Sequence, residues 1–350
     1  MTVPASAPAP ASASAERPTW WSIQYLRGLA AAGVVIYHVY ATFPAPTGRS
    51  FEIGARGVDV FFVISGFIMY SAARDECFVQ FVTRRLIRVF PLYWLATVLA
   101  LLVYFGFDDI RPSGTETVLS LALFPHYSET HLSEIWPILI PGWTLSYELL
   151  FYALFALGIA ARRVVAVPVL AIAALVTLGL VLKPQLAPLI VATSPLLIEF
   201  LLGLFIARAL HRRPALLPGI VLAALAVSLG GAALGADTVA IYAGAAAIVS
   251  GALWLERRRP GHPVAELRLL GDASYSIYLF HIPFLFVVER AIGDSLDGAS
   301  LTVVNAVALT AVVASLAFGI LIHLTLEKPL LRILNGWNRR LLAPAAPVTA

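Results

Sequence analysis

The sequence predicts an all-α protein, a polytopic transmembrane helical bundle of about ten helices with both termini in the cytoplasm. Of its 350 residues, 60% are hydrophobic and only 13% are charged, whereas a soluble domain carries roughly 25% charged residues. The shortage of charge extends along the whole chain, which excludes a soluble protein with a single anchor. A helix needs about 20 apolar residues to span a bilayer core. Segments that meet this standard are 22–42, 55–73, 89–106, 143–161, 164–182, 189–209, 216–234, 238–256, 271–291 and 302–326.

The sequence outside these segments forms two tails and one long connection. Residues 1–18 are rich in Ala, Pro and Ser and are expected to be disordered; they lack the basic start of a signal peptide. Residues 19–332 form one transmembrane domain, in which prolines interrupt the fifth to eighth segments, and residues 333–350 form a cytoplasmic tail. The long connection, 107–142, contains a candidate amphipathic helix and is expected to be a lid or surface cap.

The basic residues indicate how the helices are oriented. Eighteen Lys and Arg residues lie in one set of alternate loops and tails, and five lie in the other set. By the positive-inside rule the richer set is cytoplasmic. Both termini belong to that set, so the number of helices is even and the protein is expected to be a multi-pass protein of the cell membrane. The same placement accounts for the net charge of +4 without a nucleic-acid partner.

Two ionisable residues stand in the first apolar segment. Arg27 and His38 are eleven residues apart, which places them on one helical face and about 16 Å apart along the axis. With the N-terminus inside, Arg27 lies near the cytoplasmic surface and His38 lies toward the outer side. Ionisable groups inside a membrane are costly and are therefore functional candidates. The alternative is that Arg27 extends to the surface and His38 is a structural hydrogen-bonding residue between helices.

Two acidic residues are predicted at a depth similar to that of His38. Asp59 lies in the first two turns of the second segment, and Glu148 lies one to two turns into the fourth. A histidine beside acidic groups in a low-dielectric site is suited to act as a general base. The alternative is a structural salt-bridge cluster, in which Arg56 pairs with one of these acids. Glu199 in the sixth segment is a further acid near the middle of the membrane.

A basic cluster precedes the third segment on the cytoplasmic side. Arg84, Arg85 and Arg88 lie within about one and a half helical turns, and guanidinium groups bind phosphates bidentately. Ordinary positive-inside charge is the alternative explanation. In the ninth segment, His281 lies near the middle of the bilayer, beside a backbone carbonyl freed by Pro283.

The sequence offers no recognisable metal site. Its one cysteine, Cys77, excludes an internal disulfide and a cysteine-based metal site. His126 and His131 in the long connection have no ligand partners at a recognisable spacing. We therefore expect no metal.

Six motifs follow one another along the chain. They are YLRGLA (25–30) with its spacing from Arg27 to His38, GVDVFFVISGF (57–67), RRLIRVFPLYW (84–94), WTLSYE (143–148), SYSIYLFH (274–281) and EKP (327–329). In this order the sequence resembles the membrane acyltransferase-3 family, in particular its short members that O-acetylate exopolysaccharide and other envelope sugars. The resemblance covers residues 22–330. We expect the extracytoplasmic C-terminal domain of some relatives to be absent here.

The resemblance implies an O-acyltransferase that takes an acyl group, expected to be acetyl, from cytoplasmic acyl-CoA and transfers it to a sugar hydroxyl. Acyl-CoA is then a substrate, and no permanently bound cofactor is expected. The Arg27–His38 pair would be essential, and the arginine cluster would bind the phosphates of CoA. The expected catalytic set is Arg27, His38, Asp59 and Glu148, and the expected donor-binding set is Arg84, Arg85, Arg88 and Tyr93.

Two mechanisms and two other functions stay open. His38 deprotonates the sugar hydroxyl for direct attack on the thioester, or it carries the acyl group as an acyl-imidazole. A transporter or flippase of a lipid-linked sugar would also place buried charges along its path, but the segments show no internal repeat. A purely structural membrane subunit would leave His38, Glu148 and Glu199 without a role.

Overall fold

The computed structural model describes residues 20–43, 51–107, 111–261, 263–296 and 298–341. Within these ranges the chain is helical and contains no strand, which confirms the prediction of an all-α bundle. The predicted disordered tail at residues 1–18 lies outside the described residues, as does the end of the predicted C-terminal tail, residues 342–350.

The first half of the chain forms seven helices in the described ranges, of which α3 is extended by a π-helical turn at Met69–Ala73. They are α1 (Trp21–Thr42), α2 (Glu52–Ala55), α3 (Gly57–Ile68), α4 (Phe78–Phe107), α5 (Gly114–Leu121), α6 (Gly142–Ala160) and α7 (Ala166–Leu182).

The second half forms eight helices in the described ranges, of which α14 and α15 are joined by a π-helical turn at His323–Glu327. They are α8 (Ala187–Ala192), α9 (Leu197–Arg212), α10 (Leu217–Ala233), α11 (Asp237–Arg258), α12 (Ala265–Asp272), α13 (Ser274–Ile292), α14 (Leu301–Ile322) and α15 (Lys328–Leu341).

Each of the ten predicted segments coincides with one of these helices or a pair of them. Eight helical stretches of the described chain are long and apolar enough to cross a membrane. The other two segments correspond to α1, which is long enough but less apolar, and to α7, which is apolar but has only 17 residues. The number of spans and the side of the termini stay predictions.

The tightest packing in the bundle joins α3 to α9. A methyl group added to Gly66 would collide with the carbonyl oxygen of Phe200, and one added to Gly203 would collide with that of Val63. Small residues let two membrane helices approach this closely, so that their backbones are in contact. The ring of Phe200 is also stacked on Phe151 of α6, with centroids 4.6 Å apart. This crossing fixes where α3 and α6 present their polar residues.

A second packing group places α1 against α13 and α14. Val35 and Val39 of α1 and Ile277 of α13 are fully buried there, with Ala308 of α14. Gly319 of α14 approaches Ile277 so closely that a side chain would not fit. The contact brings the C-terminal part of α1, which contains His38, alongside the central part of α13.

Helices α4 and α6 run antiparallel but differ in length. We name the end of the bundle with Arg84, Arg85 and Arg88 the arginine end, and the opposite end the far end. The 30 residues of α4 extend about 45 Å at 1.5 Å per residue. Gly142, the first residue of α6, packs on the ring of Tyr93 in the middle of α4. The half of α4 beyond Tyr93 therefore has no α6 beside it.

The connection 111–141 packs into that space beside α4, and its expected role as a lid or surface cap stays a prediction. Tyr93 donates its hydroxyl hydrogen bond to the carbonyl of Ser120 at 2.8 Å, and Trp94 donates to Leu121 at 2.9 Å. Tyr93 is fourteen residues, or about 21 Å, from the far end of α4. The segment thus re-enters the bundle beside α4, and buried polar groups such as the Ser120 hydroxyl, which accepts from Ile138 N–H at 3.0 Å, satisfy its backbone. We name it the re-entrant segment.

Candidate active site

A cavity of about 360 Å³ lies at the arginine end, between α1, α3, α4, α6, α13 and α15. Its volume falls in the range of small-molecule sites, about 300–1,000 Å³. It reaches the surface beside Arg84, whose side chain is 41% exposed. We name it the donor cavity, after the role proposed for it below. The polar residues that line it are Arg27, Ser65, Arg84, Arg85, Arg88, Thr144, Glu148, Tyr152, Ser274, Tyr275, Tyr278 and Asn335.

The three clustered arginines all line the donor cavity, but they have different partners. Arg84 forms an ion pair with Glu76 at 2.6 Å, and Arg88 forms one with Glu327. Arg85 has no carboxylate partner among the described residues, and its buried Nε has no hydrogen-bond partner there. Since a buried cation is costly without a counter-charge, Arg85 is the arginine best placed to receive an anion.

Arg88 is held by a network that extends from the EKP motif. Glu327 accepts hydrogen bonds from Ser276 at 2.6 Å and, through its ionic hydrogen bond, from Arg88, while the Nδ1 of His323 lies 2.8 Å from the same carboxylate. The guanidinium of Arg88 also lies over the ring of Tyr275, 4.9 Å from its centroid. Glu327 is only 1% exposed. The network therefore determines the position of the Arg88 guanidinium at the wall of the cavity.

Arg27 and Glu148 both line the donor cavity, and their opposite charges interact there. Arg27 donates to Gln24 at 3.2 Å, and the charged groups around it are Arg88, Glu327, Glu148 and Asp272. Glu148 accepts hydrogen bonds from Ser65 of α3 at 3.1 Å and from Tyr152 of α6. Of the four residues predicted to be catalytic, Arg27 and Glu148 are therefore parts of the wall of the donor cavity.

His38 lies beyond the closed end of the donor cavity and contacts His281. The Nδ1 of His38 is 3.2 Å from the Nε2 of His281 and 2.9 Å from the carbonyl oxygen of Val34. The Nδ1 of His281 is 2.7 Å from the carbonyl oxygen of Tyr278. Because a carbonyl oxygen only accepts, the network assigns the hydrogen of each neutral imidazole to Nδ1. The single Nδ1 hydrogen of His38 is then shared between the Val34 carbonyl oxygen and His281 Nε2, and the lone pair of His38 Nε2 accepts no hydrogen bond from the described residues.

Two hydroxyl groups separate the histidine pair from the donor cavity. The Tyr278 hydroxyl is 3.0 Å from that of Thr144, and both residues line the cavity. The ring of Tyr278 contacts the rings of Phe61 and His281, with centroids 5.9 and 6.0 Å apart. One turn of α13 therefore leads from the closed end of the cavity to the histidine pair.

Asp59 does not join His38 and Glu148 in the structure. Its buried carboxyl lies near the carboxyl of Glu199 on α9, which is completely buried and has no hydrogen-bond partner among the described residues. Neither Asp59 nor Glu148 contacts His38 among the described residues. A similar depth in the membrane was not enough to predict that Asp59 meets His38. Helix α3 contacts both α1 and α9, and Asp59 lies on the side of α3 that faces α9.

Tyr93 is not a lining residue of the donor cavity. It is fully buried, and its hydroxyl is bonded to the re-entrant segment. Asn335 of α15 does line the cavity, although residues 333–350 were expected to be a tail. Tyr275, Tyr278 and His281 are spaced three residues apart, so they share one face of α13, and this spacing is the sequence signal for its polar side. Of the partners of Glu327, His323 has a comparable signal in the sequence, since it stands four residues before Glu327, whereas Arg88 and Ser276 have none.

Comparison with known proteins shows the family to which this chain belongs. The profile of the acyltransferase domain family (Acyl_transf_3) matches residues 20–324. The chain belongs to the acyltransferase-3 family. The match includes every wall of the donor cavity except α15, and it makes the protein a membrane acyltransferase.

Individual relatives agree with this family assignment. The exopolysaccharide production protein ExoZ of Rhizobium meliloti (strain 1021) is 39% identical over 316 residues, 86% of this chain and 96% of that protein. The acyltransferase MdmB of Streptomyces mycarofaciens is 28% identical over 84% of each chain. The putative membrane-bound transacylase BcsY of Komagataeibacter xylinus is 34% identical over 38% of this acyltransferase and 35% of that protein. No solved structure matches the chain.

Proposed function

We propose that this acyltransferase transfers an acetyl group from cytoplasmic acetyl-CoA to a sugar hydroxyl of an exopolysaccharide, another envelope glycan, a glycolipid or a glycosylated metabolite. The observation that carries the proposal is the donor cavity, whose mouth is lined by arginines and whose inner end, at Tyr278, is one turn of α13 from the His38–His281 pair. In this proposal the arginine end faces the cytoplasm of a cell-membrane protein. The similarity to a protein named for exopolysaccharide production supports a carbohydrate acceptor.

The arrangement of charge supports a CoA thioester as the donor. Arg85 has no carboxylate partner among the described residues, so the phosphates of CoA would supply its counter-charge. The inner half of the cavity is lined by apolar and hydroxyl-bearing groups such as Phe61, Thr144 and Tyr278. This lining suits the uncharged acyl-pantetheine end of the donor. The thioester would then lie against the Thr144 and Tyr278 hydroxyls.

The tautomer of His38 supports direct transfer. Its free Nε2 takes the proton from the acceptor hydroxyl while the oxygen attacks the thioester carbonyl. The negative charge that develops on the carbonyl oxygen is stabilised by the Tyr278 hydroxyl, which turns from Thr144 to donate to it, since Thr144 itself donates to the Pro141 carbonyl oxygen. The C–S bond then breaks, and the departing thiolate takes the proton back from His38. An O-acetyl ester and CoA–SH result, with no proton gained or lost.

An acyl-imidazole route uses the same nitrogen. The Nε2 of His38 attacks the thioester carbonyl, the C–S bond breaks, and the departing thiolate takes up the proton released by the acyl-imidazolium and leaves as CoA–SH. The sugar hydroxyl then takes the acetyl group, and its proton returns to the imidazole. The two routes differ in one observable. Incubation with labelled acetyl-CoA and no acceptor leaves labelled protein only in the second route, and mass spectrometry of the peptide with His38 detects it.

The test of the function is consumption of acetyl-CoA by the purified protein in lipid nanodiscs. We expect release of CoA and movement of labelled acetyl to an acceptor, with loss of both in His38→Gln. The matched control is His211→Gln, a histidine hydrogen-bonded to Ser71 outside the donor cavity. Mass spectrometry of envelope glycans and secreted metabolites with and without the protein identifies the acceptor. A flippase would move lipid-linked sugar without consuming acetyl-CoA, and that result would refute the proposal.

A further inference from the structure

A second cavity, of about 150 Å³, lies on the far-end side of the bundle. We name it the far-end cavity. Its walls come from α4, the re-entrant segment and α13. Six of its lining residues matter for what it binds, namely Tyr104, Glu116, Thr130, His131, Ile282 and Phe286. None of them lines the donor cavity.

The polar centre of this cavity is the carboxylate of Glu116. The residue is only 2% exposed, and burial raises the pKa of its carboxyl. One oxygen, Oε1, accepts from the Glu129 N–H at 3.2 Å and from the Ser128 hydroxyl at 3.4 Å. The other, Oε2, is buried and has no hydrogen-bond partner among the described residues. A buried acceptor without a donor is costly, so this oxygen is available to a ligand that supplies an N–H or O–H.

The opposite wall of the cavity is aromatic. The rings of Tyr104 and Phe286 meet edge to face with their centroids 5.2 Å apart. The guanidinium of Arg290 lies over the Phe286 ring at 5.3 Å from its centroid, so the cation–π position on this ring is already occupied and does not favour a cationic ligand. An apolar ligand would leave Glu116 unsatisfied. The remaining ligand class has hydroxyl donors on its edge and C–H groups on its face, which is the chemistry of a sugar ring.

The position of the far-end cavity links it to the histidine pair. Ile282, which follows His281 directly, and Phe286 one turn further along α13 both line it. Tyr278, one turn before His281, lines the donor cavity instead. The His38–His281 contact therefore lies between the two cavities along α13. A ring bound in the far-end cavity would approach the pair from the side opposite to the donor.

We propose that the far-end cavity binds a sugar ring of the acceptor, with Glu116 Oε2 accepting a hydrogen bond from a ring hydroxyl and Tyr104 and Phe286 contacting the ring face. This inference rests on the proposed function and names its acceptor subsite. The re-entrant segment is then the specificity element of the enzyme, because it supplies Glu116, Thr130 and His131. Nothing in the donor cavity has to change for a different sugar to be accepted.

Binding is tested with the full chain in nanodiscs that contain no glycolipid or sugar-based detergent. The probes are methyl β-glucoside, methyl β-galactoside and methyl α-mannoside, observed by saturation-transfer NMR. We expect transfer of saturation to at least one probe from the wild type, and a loss of about ten-fold or more in affinity for Glu116→Gln. Phe286→Ala should weaken binding as well. Glu134→Gln changes an exposed carboxylate of the same segment and is the matched control.

Thermal unfolding and size-exclusion profiles verify that each variant is folded, and Glu116→Gln keeps the side-chain shape and the acceptor at Oε1. Equal binding by the wild type and Glu116→Gln would mean that water satisfies Oε2, and the proposal would be wrong. Absence of binding for all three probes would also overturn it.

Enzyme kinetics separate this inference from the proposed function. With the acceptor identified by mass spectrometry, Glu116→Gln should raise KM for the acceptor at least ten-fold more than KM for acetyl-CoA. Transfer with an unchanged ratio of the two KM values would refute the acceptor subsite and leave the function intact. If sugar binding depends on Glu116 but no acetyl group is transferred, the result would support the acceptor subsite and refute the proposal that acetyl-CoA is the donor.

Discussion

The Nε2 of His281 lies 3.2 Å from the Nδ1 of His38, and this contact joins residues 243 positions apart in the chain. Because His281 Nδ1 is directed at the Tyr278 carbonyl, His281 Nε2 is left as the acceptor. Rotation of the His38 ring is thereby limited, and its Nε2 is the basic nitrogen. In the proposed reaction, His281 acts as a positioning residue for His38.

Substitution of the two histidines should give graded losses. His38→Gln should lower kcat at least about 100-fold, the usual contribution of a general base, while a monodisperse protein is retained. His281→Gln should lower kcat less than His281→Leu does, because the amide oxygen of glutamine still accepts a hydrogen bond from His38 Nδ1. The check is kcat for acetyl transfer by each variant. Equal losses in both His281 variants would show that the accepting atom is irrelevant.

The arginines of the donor cavity should differ in their effect on the donor. Arg85→Gln should raise KM for acetyl-CoA about ten-fold or more, since this guanidinium has no carboxylate partner in the described chain. Arg84→Gln should have a smaller effect, because Arg84 is exposed and already paired with Glu76. Initial rates at varied acetyl-CoA give both values. A similar rise in the acceptor KM for both variants would indicate a general effect on folding or topology.

Stability should depend on the ion pair between Arg88 and Glu327. Arg88→Gln leaves the Glu327 carboxylate buried without its cation, and breaking such a pair costs about 3–5 kcal/mol when both partners are buried. Because the Arg88 side chain is 29% exposed, we expect about 2 kcal/mol. Thermal unfolding in detergent measures the shift in Tm. Arg268→Gln, which breaks an ion pair with Asp272 whose side chains are 55% and 38% exposed, is the control and should shift Tm little.

The crossing of α3 and α9 should not tolerate a methyl group. Gly203→Ala places a Cβ against the Val63 carbonyl oxygen, so the helices must separate and the polar residues of α3 must move from the cavity wall. We expect a lower Tm and a loss of monodisperse protein in size-exclusion chromatography. Gly219→Ala, where a Cβ meets no atom within 4 Å, is the control. A stable and active Gly203→Ala protein would contradict the packing described here.

Orientation in the membrane is tested by reporter fusions. The excess of basic residues in one set of loops predicts that a reporter after residue 212 or at the C-terminus lies inside, and one after residue 130 lies outside. Enzymatic reporters active on only one side of the membrane distinguish the two. A C-terminus outside the cell would place the arginine end away from cytoplasmic acetyl-CoA and would exclude the proposed donor path.

The sequence by itself determined the helices and their polar content. An apolar run of about 20 residues predicts a helix wherever it occurs, because in a membrane the backbone must satisfy its own hydrogen bonds. The ten segments therefore coincide with helices in the structure. The arginine cluster was predictable for the same local reason, since residues within one and a half turns of a helix share a neighbourhood whatever surrounds them.

Only the tertiary structure decided which polar residues meet. Helical periodicity gives the face and depth of a residue, but many neighbours can occupy that face. Depth alone therefore grouped His38 with Asp59, although Asp59 lies near Glu199 and His38 contacts His281. The return of the re-entrant segment to Tyr93 depends on the unequal lengths of α4 and α6. These relationships arise from packing between distant parts of the chain, which local sequence patterns do not encode.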